Sequence, residues 1–310
     1  MTLRSALALG VVLVLAACGS GPASGRDAAD RPGSGPGGRI VIAASFYPLQ
    51  YVAQRVGGEH VDVRSLTKPG VEPHDLELTP RDVAALSRSD LAFYVKGFQP
   101  AVDEAVKANG PQDVLDAAPA AQLDLRFTPL EEGHPVSSAD PHFWLDPTRL
   151  ASVAAALAER LQRMDPAGAP FYRINLDALT RDLTALDGLM RLGLTDCAGT
   201  ELVTSHNAFG YLARRYGLRQ VGITGLSPDT EPDPGQLART ASFVREHHVT
   251  TIYYETLVSP AVARTVANET GARVDVLDPL EGLDDSSSGA DYLEVMRSNL
   301  STLRKGQPCP

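Results

Sequence analysis

The sequence predicts an α/β fold of two parallel-sheet lobes joined by one long helix. Three observations lead there. Short β-branched runs alternate with helix-patterned stretches, the alternation occurs in two separate sets, and a helix-only region lies between the sets. In the first set the expected strands are IVIAAS (40–45), VDVRSL (61–66), LAFYVK (91–96) and DVLDAA (113–118). Helices are expected between them near 47–57, 80–89 and 99–108. The second set has strands LVTS (202–205), QVGIT (220–224), TTIYYE (250–255) and RVDVL (273–277), with helices near 207–216, 234–247, 259–270 and 290–304.

The helix-only region comprises PTRLASVAAALAERLQRMD followed by PAGAPFYRINLDALTRDLTALDGLMRLGL. In the second segment Tyr172, Leu176, Leu179, Leu183, Leu186 and Met190 recur at steps of three and four, which makes one apolar stripe. A helix from about Pro170 to Leu194 would run roughly 35 Å at the α-helical rise. Such an element suits a stiff connector between lobes, and the stripe fits a core helix of one domain equally well.

The N-terminus carries a different signal. Arg4 precedes the apolar run ALALGVVLVLAA, which is too short to span a bilayer and has the form of a secretory signal. It ends in LAAC, which resembles a bacterial lipobox and implies cleavage before Cys18 and lipidation of its thiol. An ordinary signal peptide that happens to contain a cysteine is the alternative. Residues 19–38 contain almost no bulky apolar side chain, so they are expected to form a flexible tether. Together these features expect a protein outside the cytoplasm, anchored by lipid to the outer face of the cytoplasmic membrane.

The formal charge of −10 becomes −11 without residues 1–17, which remove only Arg4 (27 basic minus 38 acidic). That balance argues against a nucleic-acid partner. Setting Cys18 aside, Cys197 and Cys309 remain. In an exported chain an even remainder points to a disulfide, with two free thiols as the alternative.

Seven histidines occur, at 60, 74, 134, 142, 206, 247 and 248. His74 lies in VEPHDLELTP, after a strand and before Thr79-Pro80, a helix-start signal. His142 lies in DPHFWLDP, between two Asp-Pro pairs. His206 directly follows LVTS. In parallel α/β sheets, ligands bind at the carboxyl ends of strands, so these three residues, two from the first lobe and one from the second, can converge between the lobes. His60 starts a strand and His247 and His248 end a helix, so these are expected to be structural. His134 sits in a polar loop with Glu131 and Glu132. Two carboxylates occupy strand ends in the second set: Glu255 after TTIYY, and Asp278 after RVDVL. Glu72, Asp75 and Glu77 read as supporting or surface residues around His74.

The motifs VEPHDLELTP, DPHFWLDP, SHNAFGYLARRYGL, GLSPDTEPDPGQLA, IYYETLVSP and VLDPLEG, in this order, resemble those of the zinc/manganese-binding lipoproteins of bacterial ABC transporters. The likeness runs from about Ile40 to the C-terminus. It implies two α/β lobes joined by a long rigid helix, with one metal ion in the cleft. It places the first three ligands on His74, His142 and His206. The fourth falls on Asp278, with Glu255 in reserve and otherwise a supporting residue. It further implies a monomer that hands its ion to an ABC permease with its ATPase. Many zinc-specific members carry a long His/Asp-rich loop before the second ligand; here that segment is only TPLEEGHPVSSA.

Three neutral imidazoles and one carboxylate suit a closed tetrahedral zinc site. Manganese prefers more oxygen ligands, so zinc is the expected cargo and manganese or iron the alternative. A zinc hydrolase would need an open coordination position, and no H-E-x-x-H motif is present. A metal-holding surface adhesin is a third reading. The expected organisation is a signal peptide at 1–17, lipidated Cys18 and tether at 18–38, a first lobe at 39–168, a linking helix at 169–195 and a second lobe at 196–310.

Overall fold

A computed structural model describes residues 35, 38–126, 139–228 and 231–309 of the 310. The signal sequence, Cys18, nearly all of the tether and His134 lie outside the described residues.

The first lobe is a four-stranded parallel sheet with β1 (Ile40–Ala44), β2 (Val61–Ser65), β3 (Leu91–Tyr94) and β4 (Asp113–Asp116) in the order β2-β1-β3-β4. The central strands are the apolar ones. Val41 to Ala44 of β1 and Leu91 to Phe93 of β3 are buried, because helices cover both faces of a parallel sheet. The edge strands β2 and β4 are mostly half-buried. Helices α1 (Tyr47–Gly57), α2 (Pro80–Ser87), α3 (Pro100–Asn109) and the short α4 (Ala118–Ala121) connect these strands or follow the last of them. The Thr79 side chain accepts the Asp82 N–H while the Asp82 carboxylate accepts the Thr79 N–H, so α2 starts at Pro80, as its sequence predicts.

The second lobe repeats the plan. Strands β5 (Glu201–Thr204), β6 (Arg219–Gly222), β7 (Thr251–Tyr254) and β8 (Arg273–Val276) form a parallel sheet in the order β6-β5-β7-β8. Its helices are α7 (Gly210–Tyr216), α8 (Pro234–Glu246), α9 (Ala261–Thr270) and α10 (Tyr292–Gly306). Helix α7 starts at Gly210, later than expected, so His206 to Phe209 form a loop. The short α4 has no counterpart among the expected helices.

Between the sheets in the chain lie α5 (Pro147–Met164) and α6 (Ala169–Gly193). At 25 residues α6 is about 37 Å long. Its stripe is buried at Tyr172, Leu179, Leu183, Leu186 and Met190, with Leu176 packed at the margin. It contacts α1 and α5 of the first lobe and α10 of the second, so the same helix is connector and core.

The lobes share that core. Tyr51 stacks on Tyr292 with ring centroids 5.4 Å apart. The Trp144 indole N–H donates to Pro279 O at 2.7 Å, and the Tyr292 hydroxyl donates to Trp144 O at 2.6 Å. Both bonds are buried and cross from lobe to lobe, so opening the lobes widely would break them and expose the shared apolar core. A disulfide joins Cys197, just beyond α6, to Cys309 at the end of the chain. No helix among the described residues is long and apolar enough to cross a membrane.

Candidate metal centre

Four loops meet at the carboxyl ends of the two sheets. His74 lies between β2 and α2, His142 just before a 3₁₀ turn at Phe143–Leu145, and His206 two residues after the end of β5. The fourth contributor is Glu281, in the loop after β8. The donor atoms of these four residues all lie within 4.8 Å of one another. His74 Nε2 is 3.2 Å from His142 Nε2 and 3.4 Å from Glu281 Oε1. Glu281 Oε1 is 3.1 Å from His142 Nε2 and 3.4 Å from His206 Nε2. A tetrahedron around zinc with bonds near 2.05 Å has edges of about 3.3 Å. Four of the six edges are near that value, and the two from His206 to the other imidazoles lie within 4.8 Å.

The cluster is closed off from solvent. His142 and His206 are fully buried, Glu281 is 2% exposed and His74 is 9% exposed. Its floor is aromatic: Phe98 meets the His74 ring edge-on at 4.7 Å, and Trp144 lies 5.2 Å from the His142 ring. His206 Nε2 and Glu281 Oε1 point into the cluster without a hydrogen-bond partner. Buried polar atoms left in this way are costly unless a cation satisfies them.

Two of the imidazoles are held from behind. His142 Nδ1 lies 2.7 Å from Asp140 Oδ1, which also accepts the His142 backbone N–H at 2.9 Å. His206 Nδ1 lies 2.5 Å from Glu255 Oε1, and the Ser205 hydroxyl donates to the same oxygen at 2.5 Å. A carboxylate on Nδ1 keeps the proton there and turns the Nε2 lone pair toward the cluster. For His74, the Glu72 carboxylate accepts its backbone N–H at 3.0 Å and shapes the loop.

The electrostatics favour positive charge at this point. Burial opposes protonation of His142, yet Asp140 and Glu281 outweigh it and raise its pKa above the ordinary 6.5. For His206, Glu255 and Glu281 overcome burial and raise the pKa well above 6.5. Burial pushes the Glu281 carboxyl up, but the three histidines more than reverse this and hold it well below 4.5.

The carboxylates expected from sequence fall elsewhere. Glu255 stands behind His206 and is not in the donor cluster. Asp278 also lies outside it; the carboxylate in the cluster is that of Glu281, three residues on. The Asp278 Oδ1 accepts the Leu280 N–H at 2.7 Å, while the Asn299 side chain bonds the Asp278 N–H and C=O at 3.0 and 2.7 Å. Burial pushes the Asp278 carboxyl up to about 6. Asp278 thus folds the loop, and Leu280, with φ of 58°, turns the chain so that Glu281 faces the histidines. The only sequence trace of this is that Glu281 belongs to the VLDPLEG motif. Among the remaining histidines, His60 pairs with Asp165 at 3.3 Å and His247 stacks on Phe243, both away from the cluster.

Two parallel lobes with three imidazoles and a carboxylate between them define a metal-binding solute receptor. Residues 42–306 match the family described as zinc-uptake complex component A, periplasmic (ZnuA), and the chain belongs to that family. Among its relatives is the high-affinity zinc uptake system protein ZnuA of Bacillus subtilis strain 168, 34% identical over 303 residues covering 94% of this chain and 93% of that one. The laminin-binding protein Lmb of Streptococcus agalactiae, described as bifunctional with adhesin and metal-transporting activity, superposes with a TM-score of 0.75. It is 30% identical, over 86% of this chain and 99% of its own. The Zn(II)-bound ZnuA-like domain of Streptococcus pneumoniae AdcA gives a TM-score of 0.72 at 31% identity, over 88% of this chain and all of its own. The family is the extracytoplasmic solute-binding component of zinc uptake systems.

Proposed function

We propose that the chain captures one zinc ion outside the cytoplasm, holds it through His74, His142, His206 and Glu281, and delivers it to an ABC permease driven by its ATPase. The observation that carries this reading is the gathering of four donors, all within 4.8 Å of one another, around a solvent-excluded point. Three nitrogen donors and one carboxylate favour zinc over manganese. Four protein donors leave no coordination position for a reactive water, which supports a carrier and not a hydrolase. The N-terminal signal and LAAC supply the anchor through lipidated Cys18, and the carrier works as a monomer. Its organisation is a signal peptide at 1–17, a tether at 18–38, lobes at 39–168 and 196–310, and a linking helix at 169–195. The shared core across the lobes supports capture by loop movement and slight tilting, without wide closure.

Metal analysis of protein purified without chelators, followed by zinc–manganese competition, tests the reading. One zinc per chain, not displaced by excess manganese, is expected. Displacement by manganese, or turnover of ester, peptide or phosphate substrates by the zinc form, would contradict it.

A further inference from the structure

Asp140, whose carboxylate orients His142, is itself held at its backbone from the second lobe. The Tyr211 hydroxyl donates to Asp140 O at 3.2 Å. Leu125 N–H donates to the same hydroxyl oxygen at 3.3 Å, and Asp140 N–H donates to Leu125 O at 2.9 Å. Three hydrogen bonds thus close a ring through Leu125, Asp140 and Tyr211. The Tyr211 ring is buried and flanked by the guanidinium groups of Arg149 and Arg214, 4.5 and 5.4 Å from its centroid. That packing fixes where its hydroxyl sits.

Next to the Asp140 carboxylate stands Gly210, the first residue of α7. A Cβ there would lie 2.7 Å from Asp140 Oδ2 and 3.3 Å from Leu125 Cδ1. Gly210 is not among the glycines with positive φ, so what it supplies is space and not backbone freedom.

The geometry points to Gly210 and Tyr211 as positioning residues: from the second lobe they seat Asp140, and through it His142. This rests on the proposed donor set. The segment from His206 to Tyr211 then sets two donors at once, His206 directly and His142 through Asp140. Two imidazoles from different lobes are thereby placed in register before an ion arrives, which lowers the reorganisation that capture requires.

Four variants of the full chain test this: Gly210→Ala, Tyr211→Phe, Asp140→Ala and the Asp140→Ala/Gly210→Ala pair. Tyr211→Phe removes only the hydroxyl and keeps the ring beside Arg149 and Arg214. Zinc affinity by chelator competition and the His142 Nδ1–H resonance of the metal-free protein are measured. Gly210→Ala is expected to weaken zinc binding about tenfold to hundredfold and to move the His142 resonance, with the Glu255-held His206 resonance unchanged. Tyr211→Phe gives a smaller shift of the same kind, and the pair is no weaker than Asp140→Ala alone. Additive losses in the pair, or an unmoved His142 resonance in either single variant, would overturn the inference. A wild-type chain that binds no zinc would sink the functional reading instead, and the metal-free resonances would still decide this one.

Discussion

Glu255 Oε1 lies 2.5 Å from His206 Nδ1, and both side chains are closed to solvent. The contact joins the end of β7 to the loop after β5, neighbouring strands of one sheet. In the proposed site Glu255 holds His206 from behind. Glu255→Gln should therefore keep one zinc per chain and lower affinity about tenfold or more, because the amide holds the imidazole without the charge. A chelator-competition titration checks this; loss of stoichiometric binding would instead place Glu255 on the metal.

Acid should release the metal. His142 and His206 hold protons to higher pH than an ordinary imidazole, so zinc competes with protons for their nitrogens and uptake should expel protons increasingly as pH falls. Calorimetry in buffers of different ionisation enthalpy measures that release. The same shifts set the stability of the metal-free chain. The histidine contribution is fully present below the unfolded value near 6.5 and is lost as pH rises through the higher folded values. The Glu281 contribution is present above the unfolded value of 4.5 and is lost as pH falls through its depressed folded value. Zinc binding strengthens over the range in which the histidine term fades. The rise in melting temperature on adding zinc should therefore be larger at about pH 8 than at about pH 6.

Asp278→Asn separates loop-folding from ligation. The amide oxygen can still accept the Leu280 N–H, so one zinc per chain should persist with near-native affinity. Burial raises the Asp278 carboxyl to about 6, so its ionisation weakens the fold progressively as pH rises from 3.8 through that value. The variant should then stabilise the metal-free protein at neutral pH by roughly 1–3 kcal/mol, read from denaturant unfolding. Lost zinc binding would return Asp278 to the ligand set.

Much of this organisation was legible in the chain. All eight strands start within a residue of their expected positions, because buried parallel strands read as apolar runs bounded by turn residues. His74, His142 and His206 stood out because each occupies a loop beside a strand or helix end. Glu281 did not. Asp278 is nearer to the end of β8, and nothing about Leu280 announces a left-handed backbone, so proximity pointed three residues too early. The pairing of Glu255 with His206 depends on sheet order β5-β7, which a linear sequence does not display.

The Cys197–Cys309 disulfide closes a loop across 112 residues. It pins the end of the chain beside β5, where Gln307 and Pro308 carbonyls also accept the Gly199 and Ala198 N–H groups. Replacing both cysteines with serine should cost about 2–5 kcal/mol of unfolding free energy and leave zinc affinity unchanged, since neither cysteine belongs to the donor cluster. Equal stability by denaturant titration would show that packing of α10 alone suffices.

The proposed site holds one zinc ion through His74, His142, His206 and Glu281. Anomalous diffraction at the zinc edge from crystals of the zinc-bound protein tests it most directly. The expected result is a single anomalous peak about 2.0–2.2 Å from the Nε2 atoms of His74, His142 and His206 and from a Glu281 oxygen. A peak bonded to Asp278 or Glu255 in place of Glu281, or an ion outside this cluster, would contradict it.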